Sequence, residues 1–304
     1  MKFSILSVAV LLLAGSPSLF ADDLDDAFQA LKDAQAKNDV ALVKKWAVET
    51  HNLAGKVIQS PAPQDASEKE TWTKQVAYAK DLELNAEYAL FAMSLQAQPA
   101  AAVDLLSTLE RIAPKSKYLE EGYGRYFVVL QQSGAGARIP AVAAKAVENF
   151  PDNEDALLVL AESAANRQQN QQAITYATRL VAAVSRHGKP EGANAAEWER
   201  KRSNFLGRGN YIAGMAYAAN NQWFQANASL RAALPLVKGN DQMLGATLFQ
   251  LGVVNYQLGR ATANKGQILE AIRFSEDAAK IKGPYAEQAW RNAGIMRTEV
   301  AKMR

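Results

Sequence analysis

Between residues 214 and 233 the chain repeats a spacing that a pair of packed helices explains. Tyr217 follows Gly214 by three residues, Ala226 follows it by twelve, and Ala233 follows Ala226 by seven. Residues three, four and seven apart lie on one face of a helix. Two antiparallel helices approach closely only where small residues oppose each other. Gly214 on a first helix and Ala226 on a second are therefore expected to meet, with Tyr217 filling the space beside them and Ala233 extending the seam.

The remainder of the chain fits an array of such pairs. It is rich in Ala, Leu, Gln, Glu and Lys and poor in strand-forming runs, so an all-α fold is expected. Near the N-terminus Lys2 precedes the apolar run 5–14, a break at Gly15-Ser16-Pro17, and Ala21 before an abrupt Asp22-Asp23. That pattern predicts an export signal over 1–21, cleaved after Ala21. The run is shorter than the roughly 20 residues of a membrane span, and no later segment is long and apolar enough to be one. Residues 22–98 then form an N-terminal helical region and 99–304 a repeat region. The chain has no cysteine, which rules out disulfides, thiolate metal sites and a lipoprotein signal. Removing 1–21 takes away one of the 34 Lys and Arg and none of the 31 acidic residues, leaving a net charge of +2, too little to suggest a nucleic-acid surface.

Helix boundaries are marked locally. The acidic run Asp22-Asp23-Leu24-Asp25-Asp26 is expected to open a helix, its carboxylates meeting the free amides of the first turn. As a calcium loop it lacks the glycine turn and the distal glutamate. A helix over 40–58 ends at Ser60-Pro61-Ala62-Pro63, and Ser67 with Glu70 predicts a capping box before a long helix that stops near Pro99. Helices over 100–113, 117–132 and 139–150 follow. Pro114 and Pro151 close the first and third, and Gly134-Ala135-Gly136 is read as the turn of a hairpin.

These residues resemble the tetratricopeptide repeat family. Ala146 and Leu180 are 34 residues apart, the length of that repeat, and residues 149–153 look like its inter-repeat turn. Ala161, Ala164, Ala173 and Leu180 have the spacing of the Gly214 hairpin. A third copy begins at Leu251-Gly252, with Ala271 and Ala278 arriving seven residues late, as two added helical turns would place them. Trp290 and Gly294 match the family's aromatic and glycine on a further first helix with no second helix behind it, as a cap would be. The resemblance covers about 100–300, most closely 155–300. Residues 188–201 depart from the period and suggest a longer loop and an extended first helix.

The resemblance implies a right-handed superhelical solenoid of antiparallel helix pairs, with extra N-terminal helices. It implies a concave groove lined by first helices. Tyr211, Met215, Phe249, Val253, Tyr256, Arg291 and Ile295 would face that groove, with Leu158 and Glu162 further along. The Lys and Asn that the chaperone-binding subfamily uses there are lacking, and an apolar groove suits an amphipathic helix or an extended apolar segment.

Residue patterns that could carry chemistry have plainer readings. His51 and His187 lie far apart in sequence with no recurring carboxylate spacing, which argues against a metal site or a triad. Gly134-Ala135-Gly136-Ala137-Arg138 follows a helix and lacks the third glycine of a phosphate loop, and Gly55-Lys56 lacks the upstream glycine. Arg200-Lys201-Arg202 is interleaved with Glu197 and Glu199 and reads as a solvated face. Asn227-Ala228-Ser229 matches a glycosylation pattern but falls within a second helix. The expectation is an exported, non-enzymatic scaffold with no cofactor or metal. Its partner is another protein of the cell envelope, with no nucleic acid and no membrane span after cleavage. Two alternatives remain open: a small-ligand carrier with the groove closed into a cavity, and a hydrolase with dispersed residues.

Overall fold

The computed structural model describes residues 17–189 and 192–303, so most of the expected export signal lies outside the described residues. The described part is all-α, with thirteen α-helices and no strand. It forms two compact units that divide after Gly136. The first holds α1 (Pro17–Ala36), α2 (Val40–Ile58), α3 (Ala66–Gln96), α4 (Pro99–Ile112) and α5 (Lys117–Gln132). The second holds α6 (Ile139–Asn149), α7 (Glu154–Asn166), α8 (Asn170–Arg186), α9 (Ala195–Ala219), α10 (Trp223–Ala233), α11 (Asp241–Ala261), α12 (Lys265–Ala279) and α13 (Ala286–Lys302). The expected boundary at residue 98 falls inside the first unit, between α3 and α4, and the Gly134–Gly136 turn sits at the division between the units.

Local chemistry sets the ends of these helices. Asp39, Asp65, Asn153, Asn194, Asn240 and Asn264 each accept a hydrogen bond from an amide of the turn that follows, satisfying donors that a helix start leaves free. The cap of α3 is thus Asp65 and not Ser67. Asp65 Oδ1 accepts from the Ser67 amide at 2.8 Å and from the Ser67 hydroxyl at 2.5 Å, because a carboxylate outcompetes a hydroxyl as acceptor. Another correction concerns α1. It is already helical at Pro17, so the acidic run from Asp22 does not occupy its first turn.

Four hairpins share one turn. Asn38, Gln168, Asn221 and Ala263 are the described non-glycine residues with positive φ, between 50° and 58°, and each sits between the helices of a pair. The amide of the next residue then reaches back five positions, Asp39 to Ala34 O, Gln169 to Ala164 O, Gln222 to Tyr217 O and Asn264 to Gly259 O, at 2.8–3.1 Å. This left-handed closure satisfies carbonyls at the end of the first helix.

Counting from the turn residue gives a common register. The fifth residue after it is Val43, Ala173, Ala226 or Ile268, each completely buried. The ninth is Ala47, Ala177, Leu230 or Ile272 and is buried too. The α1/α2 pair therefore follows the same plan with larger side chains, Leu31 standing where α9 has Gly214.

Close approach is sharp at Gly214, where a Cβ would lie 2.6 Å from Leu230 Cγ. The nearest side chain is Leu230, one turn beyond the Ala226 expected from spacing. Side chains lean toward their helix N-terminus, which carries the Leu230 isobutyl group back over the glycine. Gly252 is as crowded, with Ser275 Oγ and Ala271 O as neighbours. The seven extra residues of this hairpin divide between α11, which runs nine residues past Gly252, and α12, which begins six before Ala271.

Ala161, Ala173, Ala226, Ala233, Ala271 and Ala278 are all buried, and Tyr217 is half-buried between two clusters. Trp290 and Gly294 differ. Trp290 is 61% exposed, and a Cβ at Gly294 would meet nothing within 4 Å, so neither carries helix packing.

Candidate functional site

In the second unit α7, α9, α11 and α13 come within 8 Å of one another in succession at Cα, whereas no pair of the even-numbered helices does among the described residues. The odd-numbered helices therefore form the tighter layer, and the residues expected to face a groove lie on them.

Two of these residues gather around a third aromatic that the sequence reading missed. Tyr211 on α9 is half-buried against the α7/α8 core. Phe249 on α11 stacks on Tyr285, which precedes α13, with ring centroids 5.1 Å apart and an interplanar angle of 27°. Burial raises the Tyr211 phenol above its ordinary pKa, and the neighbouring Tyr285 adds to the shift. Part of the aromatic surface is thus covered from within, by a residue at a loop end that carries no helical periodicity.

The flanks are charged but paired. At one side Arg208 of α9 donates to Glu162 of α7. At the other, Tyr256 of α11 donates to Glu299 of α13, which raises its phenol, and Arg260 Nε lies 3.4 Å from the same carboxylate. Met215 and Val253 are half-buried, Met215 against the core cluster that joins α9, α10 and α11. Leu158 is buried in the α7/α8/α9 core and offers no face. Arg291 and Ile295 stand out in solvent. Arg291 pairs with Glu287 on its own helix at 3.2 Å, so it does not converge on a cavity.

Two clefts border this face. Arg208 lines one of about 510 Å³ with Asn204, Leu236 and Met243. Tyr285 lines another of about 330 Å³ with Asp241, Gly245 and Lys282. Small-molecule sites commonly enclose about 300–1,000 Å³.

Elsewhere the remaining candidates find ordinary partners. His51 Nε2 lies 3.6 Å from Glu83 and 3.8 Å from Glu87, one turn apart on α3, and His187 Nδ1 lies 2.9 Å from Glu154. No group of three or more metal-ligating side chains occurs among the described residues. Lys201 pairs with Asp155 at 3.0 Å, and Arg200 and Arg202 lie near Glu197 and Glu199. The Asn227 carbonyl oxygen accepts from Arg231 and from buried Asn255, both at 3.0 Å, so this amide is part of the packing. In the first unit, Tyr88 and Phe91 of α3 lie against Tyr118 of α5 at 5.2 and 6.1 Å, with Tyr88, Leu84 and Leu95 exposed. Their spacing along α3 was the missed signal. No helix among the described residues is long and apolar enough to cross a membrane.

No family model matches the chain, and no curated protein matches it.

Proposed function

We propose that the chain is an exported scaffold whose second unit is a right-handed, tetratricopeptide-like solenoid that holds a segment of another protein. In this reading the odd-numbered helices form its concave side, since a stacked array bends toward its more closely spaced layer. The observation that carries the reading is the gathering of Tyr211, Phe249 and Tyr285 from three separate elements on that layer. Aromatic anchors in partly desolvated surroundings are what binding surfaces concentrate. The nearby Glu162–Arg208 and Glu299–Arg260 pairs leave little unmatched charge, so the segment received is apolar on one side, as an amphipathic helix is. Neither catalysis nor a cofactor is needed for this role.

A photo-crosslinking residue placed at Val253 tests the proposal in an envelope extract, with the same residue at exposed Phe224 as the control. A partner captured from position 253 alone, and lost when Tyr211 and Phe249 are both changed to Ser while helical circular dichroism is retained, is the expected result. Capture that survives the double change would overturn it. Unfolding of the double variant would also overturn it, since the two rings would then be core residues.

A further inference from the structure

Clefts on the described surface differ in the charge of their linings. The one beside Trp46 carries Asp23, Asp26 and Glu49, the one beside Tyr285 sets Asp241 beside Lys282, and in the one beside Arg208 the guanidinium is already paired with Glu162. A fourth, of about 410 Å³, opens between α6, α7 and α8. Its only charged lining residue is Arg167, at the end of α7, and no acidic residue lines it. Arg167 has no ion pair or side-chain hydrogen bond among the described residues, and neither do Ser163, Gln172 and Tyr176 around it. The floor is apolar, formed by Pro140, Ala141 and Ala144 of α6 with Leu160 of α7.

We propose that this cleft binds a small organic anion, its apolar body lying on α6 and its carboxylate held by Arg167. Guanidinium matches a carboxylate with two parallel hydrogen bonds. The hydroxyls of Ser163 and Tyr176 and the amide of Gln172 supply further donors. An exposed ion pair alone contributes little, so the apolar floor is a required part of the site: a bare inorganic anion lacks the surface to bury there. A carboxylate on an apolar body occurs both in free organic acids and at the end of a peptide chain, and both present the same chemistry to Arg167.

The test is a titration of the isotope-labelled chain, residues 22–304, followed through the backbone amide resonances of Ser163, Arg167 and Tyr176. The probes are phenylacetate, phenylacetamide, and an acetylated hexapeptide ending in phenylalanine with a free or an amidated terminus. The expected result is saturable binding of an acid but not of its amide. Changing Arg167→Gln should weaken it by about tenfold or more, and Ala141→Phe should block it by filling the cleft. Both positions are exposed, so the melting temperature should hold. Binding of phenylacetate would assign a free acid, and binding of the free-terminus hexapeptide alone would assign a chain end. No saturable shift with any acid, equal binding of acid and amide, or undiminished binding by Arg167→Gln would overturn the proposal. The Tyr211→Ser, Phe249→Ser variant should keep this binding, so failure here is distinct from failure of the scaffold reading.

Discussion

In the first unit, alternate helices touch on both sides: α1 meets α3, α3 meets α5, and α2 meets α4. In the second, only the odd-numbered layer does so among the described residues. The cores differ in the same sense. Tyr123 and Tyr126 of α5 are completely buried with ring centroids 6.4 Å apart, and burial pushes the Tyr123 phenol well above its ordinary pKa, with Glu110 adding to the shift. The α7/α8 and α9/α10 pairs instead meet through Ala161, Ala173, Gly214 and Ala226. Small side chains let the two helices of a hairpin close on each other, and large ones fill the space between successive hairpins. The first unit should therefore be sensitive to volume removed, and the second to volume added.

The largest effect expected is from Tyr126→Ala, which should cost about 3–5 kcal/mol through the cavity it leaves; an unchanged urea midpoint would mean the tyrosine core is dispensable. Next comes Gly214→Ala. Its methyl would lie 2.6 Å from Leu230 Cγ, so thermal unfolding should show a loss of about 1–3 kcal/mol. Gly294→Ala in the open surface of α13 should do the reverse, gaining about 0.8–1 kcal/mol from helix propensity. Matching signs for the two glycines would break the distinction drawn between them. Relief of the left-handed turn by Ala263→Gly should add about 0.5–1 kcal/mol, read in the same melts.

Smallest is a pH effect in the first unit. Burial raises the Glu87 carboxyl above the ordinary range of a glutamate, an effect only partly offset by the Ser116 hydroxyl and His51. A raised folded-state pKa favours the protonated form, so this contribution to stability is complete below about pH 4.5 and fades as pH rises through the folded-state pKa. Glu87→Gln should then raise the melting temperature slightly at neutral pH and lose that advantage in acid. A constant difference across the range would remove burial as the cause.

Much of the second unit could be read from residue spacing, because small residues at a fixed helical period leave few other packings. Ala161, Ala164, Ala173 and Leu180 hold the same places relative to Gln168 as Gly214, Tyr217, Ala226 and Ala233 do relative to Asn221. The matching plan of α1 and α2 was hidden because Leu31 and Val43 fill positions where small residues mark the pattern. Turn residues gave half a warning: glycine and asparagine favour a left-handed position, as Asn38 and Asn221 do here, whereas Gln168 and Ala263 do not. At the candidate site, Tyr211 and Phe249 were accessible to the repeat register. Their neighbour Tyr285 was not, since it belongs to a connection with no period, and the Glu162–Arg208 pair joins residues 46 apart. Arg291 and Ile295 are exposed on α13: register says which side of a helix a residue takes, but not whether anything lies beyond it.

The longer arms of the α11/α12 hairpin add polar contacts at the end of α13. Their added turns carry Arg260, beside Glu299, and Lys265, whose ammonium donates to Met303 O at 3.0 Å. Glu299 lies in the last turn of α13, where Tyr256 also reaches it, and Met303 directly follows the helix. The insertion thus acts as a splint: it adds two ties at the end of the last helix, and trimming it back to the common size would leave that end held by Tyr256 and the apolar seam of Ile268 and Val300.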